Sequence, residues 1–212
     1  MKKIGMLMLA VFLATVSLDL HAQSFDGGLV AGVTTSQING DGYAGFHQIG
    51  VTAGFFGRIP TGGSSSWQME LKYSLYGAHS DVNELKMNPM SIRLHYVELP
   101  ILFRYNLSQL NINGKSLDFI TFELGLSGDF LIRGTQSADF EDQFDNNSWL
   151  FFSLTGNAGI HFDLSDRLGI NIRSMNSITP CRLNPKAPVF SWNHLYNIVL
   201  QATVVYTIIH AH

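Results

Sequence analysis

The chain has 212 residues, 13 of them basic and 16 acidic, for a formal net charge of −3, and charged residues make up only 14% of it. That balance leaves no basic footprint for nucleic acid, and the charged share falls well below the roughly 25% usual for soluble domains. A single cysteine, Cys181, excludes an internal disulfide and reads as a spare thiol.

At the start of the chain, Lys2 and Lys3 precede an apolar run from Ile4 to Val16, and Leu20-His21-Ala22 sets a small residue before Gln23. Residues 1–22 therefore read as a secretory signal peptide. The remainder, 23–212, is the size of one domain. No later apolar stretch reaches the twenty or so residues of a spanning helix, so insertion into a membrane would require a closed barrel.

Eight segments then show strand character, at 25–36, 47–59, 66–77, 92–105, 118–132, 149–163, 167–175 and 192–208. Their sign is period-two alternation. In the third, Trp67, Met69, Leu71, Tyr73 and Leu75 alternate with Gln68, Glu70, Lys72, Ser74 and Tyr76; in the fifth, Ile120, Phe122, Leu124 and Leu126 alternate with Thr121, Glu123, Gly125 and Ser127. Three of the four odd-numbered connections are longer than any even-numbered one. Long loops on one rim and short turns on the other, with an even strand count, form the outer-membrane pattern. The expected fold is all-β: an eight-stranded antiparallel up-and-down transmembrane β-barrel.

The two faces decide which way the strands look. One carries Val51, Phe55, Ile101, Phe103, Leu124, Ile172 and Leu200, as lipid requires; the other carries small or polar groups such as Gly32, Thr34, Gly54, Ser127, Thr155, Asn171 and Gln201. Turning the second face inward places Glu70, Lys72, Glu98, Arg104, Glu123, Asp129 and Arg173 in the lumen. Charges in so narrow a space must pair or stay solvated, so a salt-bridge network is expected to plug the barrel. Trp67, Tyr105, Trp149, Trp192 and Tyr206 lie near strand ends, where an aromatic girdle belongs. Pro100, lacking an N–H inside the fourth strand, predicts a bulge or widened register there.

Other motifs carry less. Gly40-Asp41-Gly42-Tyr43-Ala44-Gly45 fits GxGxxG, but a strand rather than a helix follows it, so a loop is the better reading. His210 and His212 sit in a terminal tail, and no other pair has zinc-motif spacing. His95 with Ser91, and His194 with Ser191, would lie near the long-loop rim, but strands four and eight face each other across the barrel and the two histidines do not combine. His161 and Asp163 share an inward face and read as a structural pair. No catalytic, cofactor or metal residue is assigned.

Gly28-Leu-Val-Ala-Gly32, Asn39-Gly-Asp-Gly-Tyr-Ala-Gly45, Gly50, Gly54, Glu70-Leu71-Lys72-Tyr73 with Gly77, and Tyr96-Val-Glu98-Leu-Pro100 together resemble the PorT-like outer-membrane β-barrel proteins of Bacteroidetes. The resemblance spans 23–212. It implies a Gram-negative outer membrane, contact with its lipid, and insertion by the barrel-assembly machinery. It implies neither an enzyme nor a ligand, and for some members a role in gliding or protein secretion. The chain departs from such barrels at its end, where Ile208-Ile209-His210-Ala211-His212 replaces a terminal aromatic and Tyr206 stands nearest. The expectation is a monomeric barrel with a structural or interaction role through its loops or turns. The alternatives are a lipid-modifying enzyme and a small-solute channel gated by the lumen charges.

Overall fold

A computed structural model describes residues 25–39, 48–80, 90–112, 114–138, 149–183 and 194–210. Residues 1–22, expected to be a signal peptide, the GxGxxG loop, Ser191 and Trp192 lie outside them. The strands are β1 (Asp26–Asn39), β2 (Gln48–Gly62), β3 (Ser65–Ser80), β4 (Met90–Ile112), β5 (Lys115–Ala138), β6 (Phe152–Asp163), β7 (Leu168–Ser177) and β8 (Tyr196–Ile209). Each pairs antiparallel with its sequence neighbour, and β1 closes on β8 to make a barrel. The alternation sorts as its chemistry demands. Val51, Phe55, Ile101, Phe103, Leu124, Ile172 and Leu200 are exposed on the outer wall, while Thr34, Ser127, Thr155, Asn171 and Gln201 are buried inside.

Three connections at one rim are short, spanning 63–64, 113–114 and 164–167; those at the other span 40–47, 81–89, 139–151 and 178–195. Glycine makes two of the short turns possible, since Gly62, Gly63 and Gly114 take φ of 105°, 61° and 79°, a region that side chains disfavour. On the wall, Gly32 and Gly54 serve a different need. A Cβ there would stand 2.1 Å from the carbonyl oxygens of Ala202 and Leu71, so their absence lets adjacent strands coil closely.

The structure corrects several boundaries. The connection expected after 105 is instead a continuation of β4 and β5 as a projecting hairpin, with bulges around Asn106 and Leu107, closing where Ile112 pairs with Lys115. Strands six and eight begin later than their patterns predict, because Trp149 and Leu195 are each drawn into a bridge with Arg182. At Pro100 there is no bulge. The β3–β4 pairing lapses between Met69↔Ile101 and Lys72↔Glu98 and resumes in the same register, while Pro100 stays paired with Ser127 of β5. Two unmade rungs, Glu70 opposite Pro100 and Leu71 opposite Leu99, accommodate the missing donor without displacing the side chains beyond them.

Candidate functional site

The barrel interior is a stack of three layers. Toward the short turns, Val30, Phe56 and Val205 cluster, and Arg58 pairs with Asp26 at 2.7 Å. Toward the long loops, Ile38, Tyr76, Leu94, Tyr96, Met175 and Val199 form a second buried apolar cluster. Between them lie the charges predicted for the lumen, all seven buried. An eight-stranded barrel encloses just enough space for side chains to fill, and here they fill it.

The network is built from inward positions two residues apart, so that neighbouring strands hold their groups within reach. Glu70 accepts two hydrogen bonds from the Arg173 guanidinium, both 2.9 Å, and a third from Gln68 Nε2 at 2.7 Å. Arg173 also donates to Glu123 Oε2 at 2.8 Å, which accepts from Asn171 at 2.6 Å. The Arg104 Nε lies 2.9 Å from Glu123, and its Nη1 donates to Gln68 Oε1 at 2.8 Å. Lys72 donates to Gln201 Oε1 at 2.8 Å and lies 3.2 Å from Glu70 and 3.3 Å from Glu98. Tyr76 donates its hydroxyl to Glu98. Charged bonds of this kind roughly double the strength of neutral ones, but their desolvation offsets much of that gain. Their clearest consequence is geometric: they tie one wall to the other.

Asp129 stands apart from the cations. It accepts hydrogen bonds from the Ser127 and Thr155 hydroxyls, and its cross-strand neighbours are Glu98 and Ser153. Gln68 and Tyr76, which charge alone does not single out, complete the network. The signal was available in their parity, since both share the inward face with Glu70 and Lys72.

Of the girdle residues, Trp67, Tyr105 and Tyr206 are exposed on the outer wall, and Trp67 packs edge-on against Phe103. Trp149 departs from that expectation: it packs against the inner apolar cluster, and the buried Arg182 guanidinium lies 4.8 Å from its ring centroid. Around it Cys181 and Arg182 are held against Leu195, which bridges to Arg182. The Leu150 N–H donates to the Cys181 carbonyl and the Cys181 N–H to the Leu195 carbonyl, each at 2.9 Å. Cys181 and His194 are buried there.

The rim histidines are separated by more than topology. His95 sits on the outer wall, its Nδ1 2.6 Å from the Tyr73 hydroxyl, whereas His194 is buried at the mouth; the Ser91 side chain lies outside the described residues. His161 Nε2 meets Asp163 at 3.1 Å near the short-turn rim. Among the described residues no group of three or more His, Cys, Asp or Glu side chains could hold a metal ion.

The family model described as outer membrane protein beta-barrel domain matches residues 21–181. No curated protein matches the sequence. Among solved structures the chain is similar to Ail, the attachment invasion locus protein of Yersinia pestis, at 10% identity and a TM-score of 0.49, covering 87% of this chain and 99% of that one. It is also similar to Neisserial surface protein A (10% identity, TM-score 0.47, 86% and 96% covered) and to OprG of Pseudomonas aeruginosa (13%, 0.39, 89% and 95%).

Proposed function

This chain belongs to the outer membrane protein beta-barrel domain family, and we propose that it works there as a side-chain-filled scaffold, acting on envelope partners through its rims and not by conducting solutes or by catalysis. The observation carrying this reading is the filled interior. Two apolar clusters cap a layer in which Glu70, Arg173, Glu123, Arg104 and Lys72 are mutually paired. A side-chain-filled eight-stranded barrel leaves surface chemistry to its loops and turns, and the long connections give one rim most of that surface.

Within the family, the Tyr96-Val-Glu98-Leu-Pro100 strand supports a PorT-like barrel of Bacteroidetes. Residues 1–22 support export by a signal peptide, with insertion by the barrel-assembly machinery and the long loops facing outward. A link to secretion or envelope assembly is part of the proposal, as is a monomeric state.

Planar-bilayer recording tests the reading. The wild type and Glu98→Ala are both expected to be silent, because removing one carboxylate leaves both apolar caps in place. Stable single-channel steps from the wild type would replace the scaffold with a channel. Shortening 139–148 to a tight turn should leave folding intact while removing crosslinks to envelope proteins. Unchanged crosslinks would shift the interaction to another rim segment.

A further inference from the structure

We propose that Arg93, His95 and Arg133 form a binding site for the phosphate of a lipid headgroup, on the outer wall just above the apolar belt at the long-loop end.

The site begins with a bulge. Tyr96 pairs with Leu131, but the next rung joins His95 to Arg133, so Ile132 is an extra residue on β5. Without that insertion, alternation after Leu131 would make Ile132 outward and turn Arg133 into the lumen. The bulge instead leaves Ile132 and Arg133 both exposed, as bulges do when they re-aim a side chain. Arg133 is thereby set directly across from His95, with Arg93 one outward position further along β4 and paired to Thr135.

Among the described residues, the charges there have no carboxylate counterpart. Neither Arg93 nor Arg133 makes an ion pair with any described residue, although the cations of the lumen are all paired. Placing two guanidinium groups and an imidazole on adjacent strands is unfavourable unless an anion sits among them. The Tyr73 hydroxyl holds His95 Nδ1 at 2.6 Å, which orients the ring and leaves Nε2 for a ligand. Arginine suits such a ligand because its planar fork matches phosphate oxygens.

Height on the wall identifies the source of the phosphate. Below His95 the outward residues of β4 are Val97, Leu99, Ile101, Phe103 and Tyr105. The ten steps from His95 to Tyr105, at about 3.4 Å each and a strand tilt of about 40°, span roughly 26 Å along the barrel axis. An outer-membrane barrel's apolar band is about 25 Å tall. Tyr105 thus marks one edge of the hydrocarbon and His95 the other. A phosphate at this level is attached to lipid, with its chains against the belt beneath.

Native mass spectrometry of the folded full chain in detergent, titrated with dioleoyl phosphatidic acid or dioleoyl phosphatidylcholine, tests this. The wild type should retain phosphatidic acid at least about tenfold more tightly, as charge-assisted bonds from two arginines would give. Arg93→Gln/Arg133→Gln should abolish the preference, Arg93→Lys/Arg133→Lys should keep part of it, and Arg167→Gln at the opposite rim should leave it unchanged. Equal retention of both lipids by the wild type, or an undiminished preference in the Gln pair, would overturn the proposal. So would displacement of the lipid by an equal concentration of inorganic phosphate, which would mark a free-anion site. Heat-dependent gel migration checks folding; if the double variant fails it, the single Arg93→Gln must show a reduced preference for the site to stand.

Discussion

Glu70 and Arg173 stand on opposite walls of the barrel, β3 and β7 being four strands apart in a ring of eight, yet they share two hydrogen bonds of 2.9 Å across the lumen. The pair acts as a crossbar, and Glu123 extends it to β5 through the same guanidinium.

Removing Glu70 leaves Arg173 with Glu123 alone, a carboxylate it already shares with Arg104. Glu70→Ala should cost up to about 3–5 kcal/mol, the range for breaking a buried ion pair by removing one partner. Replacing both ends, as Glu70→Leu/Arg173→Met, should cost distinctly less than the sum of the single changes. Urea unfolding in lipid vesicles measures both; strictly additive costs would show that the pair is not coupled.

The outer wall should reject charge at mid-height. Leu124 is 67% exposed there, and Leu124→Arg should destabilise the inserted barrel by roughly 2–4 kcal/mol. The same substitution at Ser116, in the hairpin beyond the belt, should change stability by less than about 0.5 kcal/mol. Similar losses at the two sites would mean that the apolar wall does not face lipid.

Close strand approach at Gly54 makes a sharp steric test. A Cβ there would meet the Leu71 carbonyl at 2.1 Å and Lys72 Cα at 2.7 Å, both backbone atoms that cannot rotate away. Gly54→Val should prevent the heat-sensitive folded form on gels, whereas Gly156→Ala, where the nearest atom is 3.7 Å away, should fold normally.

Cys181 should behave as an enclosed thiol. It is fully buried, and its S–H donates to the Leu195 carbonyl at 3.3 Å. A bulky maleimide should label it only after boiling, and non-reducing gels should show no disulfide-linked dimer. Rapid labelling of the folded protein would mean that Cys181 is not held against Leu195 as the structure places it.

Alternation, a property of each strand taken alone, was enough to derive the barrel, the inward placement of Glu70, Lys72, Glu98, Arg104, Glu123, Asp129 and Arg173, and the outward placement of Trp67, Tyr105 and Tyr206. Period two follows from backbone geometry, so it is legible in any stretch of several residues. Which charges meet was not legible. The Glu70–Arg173 and Lys72–Gln201 contacts join strands that share no rung, and they exist only once β1 has closed on β8. Asp129's separation from the cations, the turn of Trp149 toward the inner cluster and the lapse of two rungs at Pro100 likewise depend on what stands on other strands. The extra residue at Ile132 shows the division most directly: the amino acids fix each local face, but only the register between β4 and β5 decides that Arg133 looks outward beside His95.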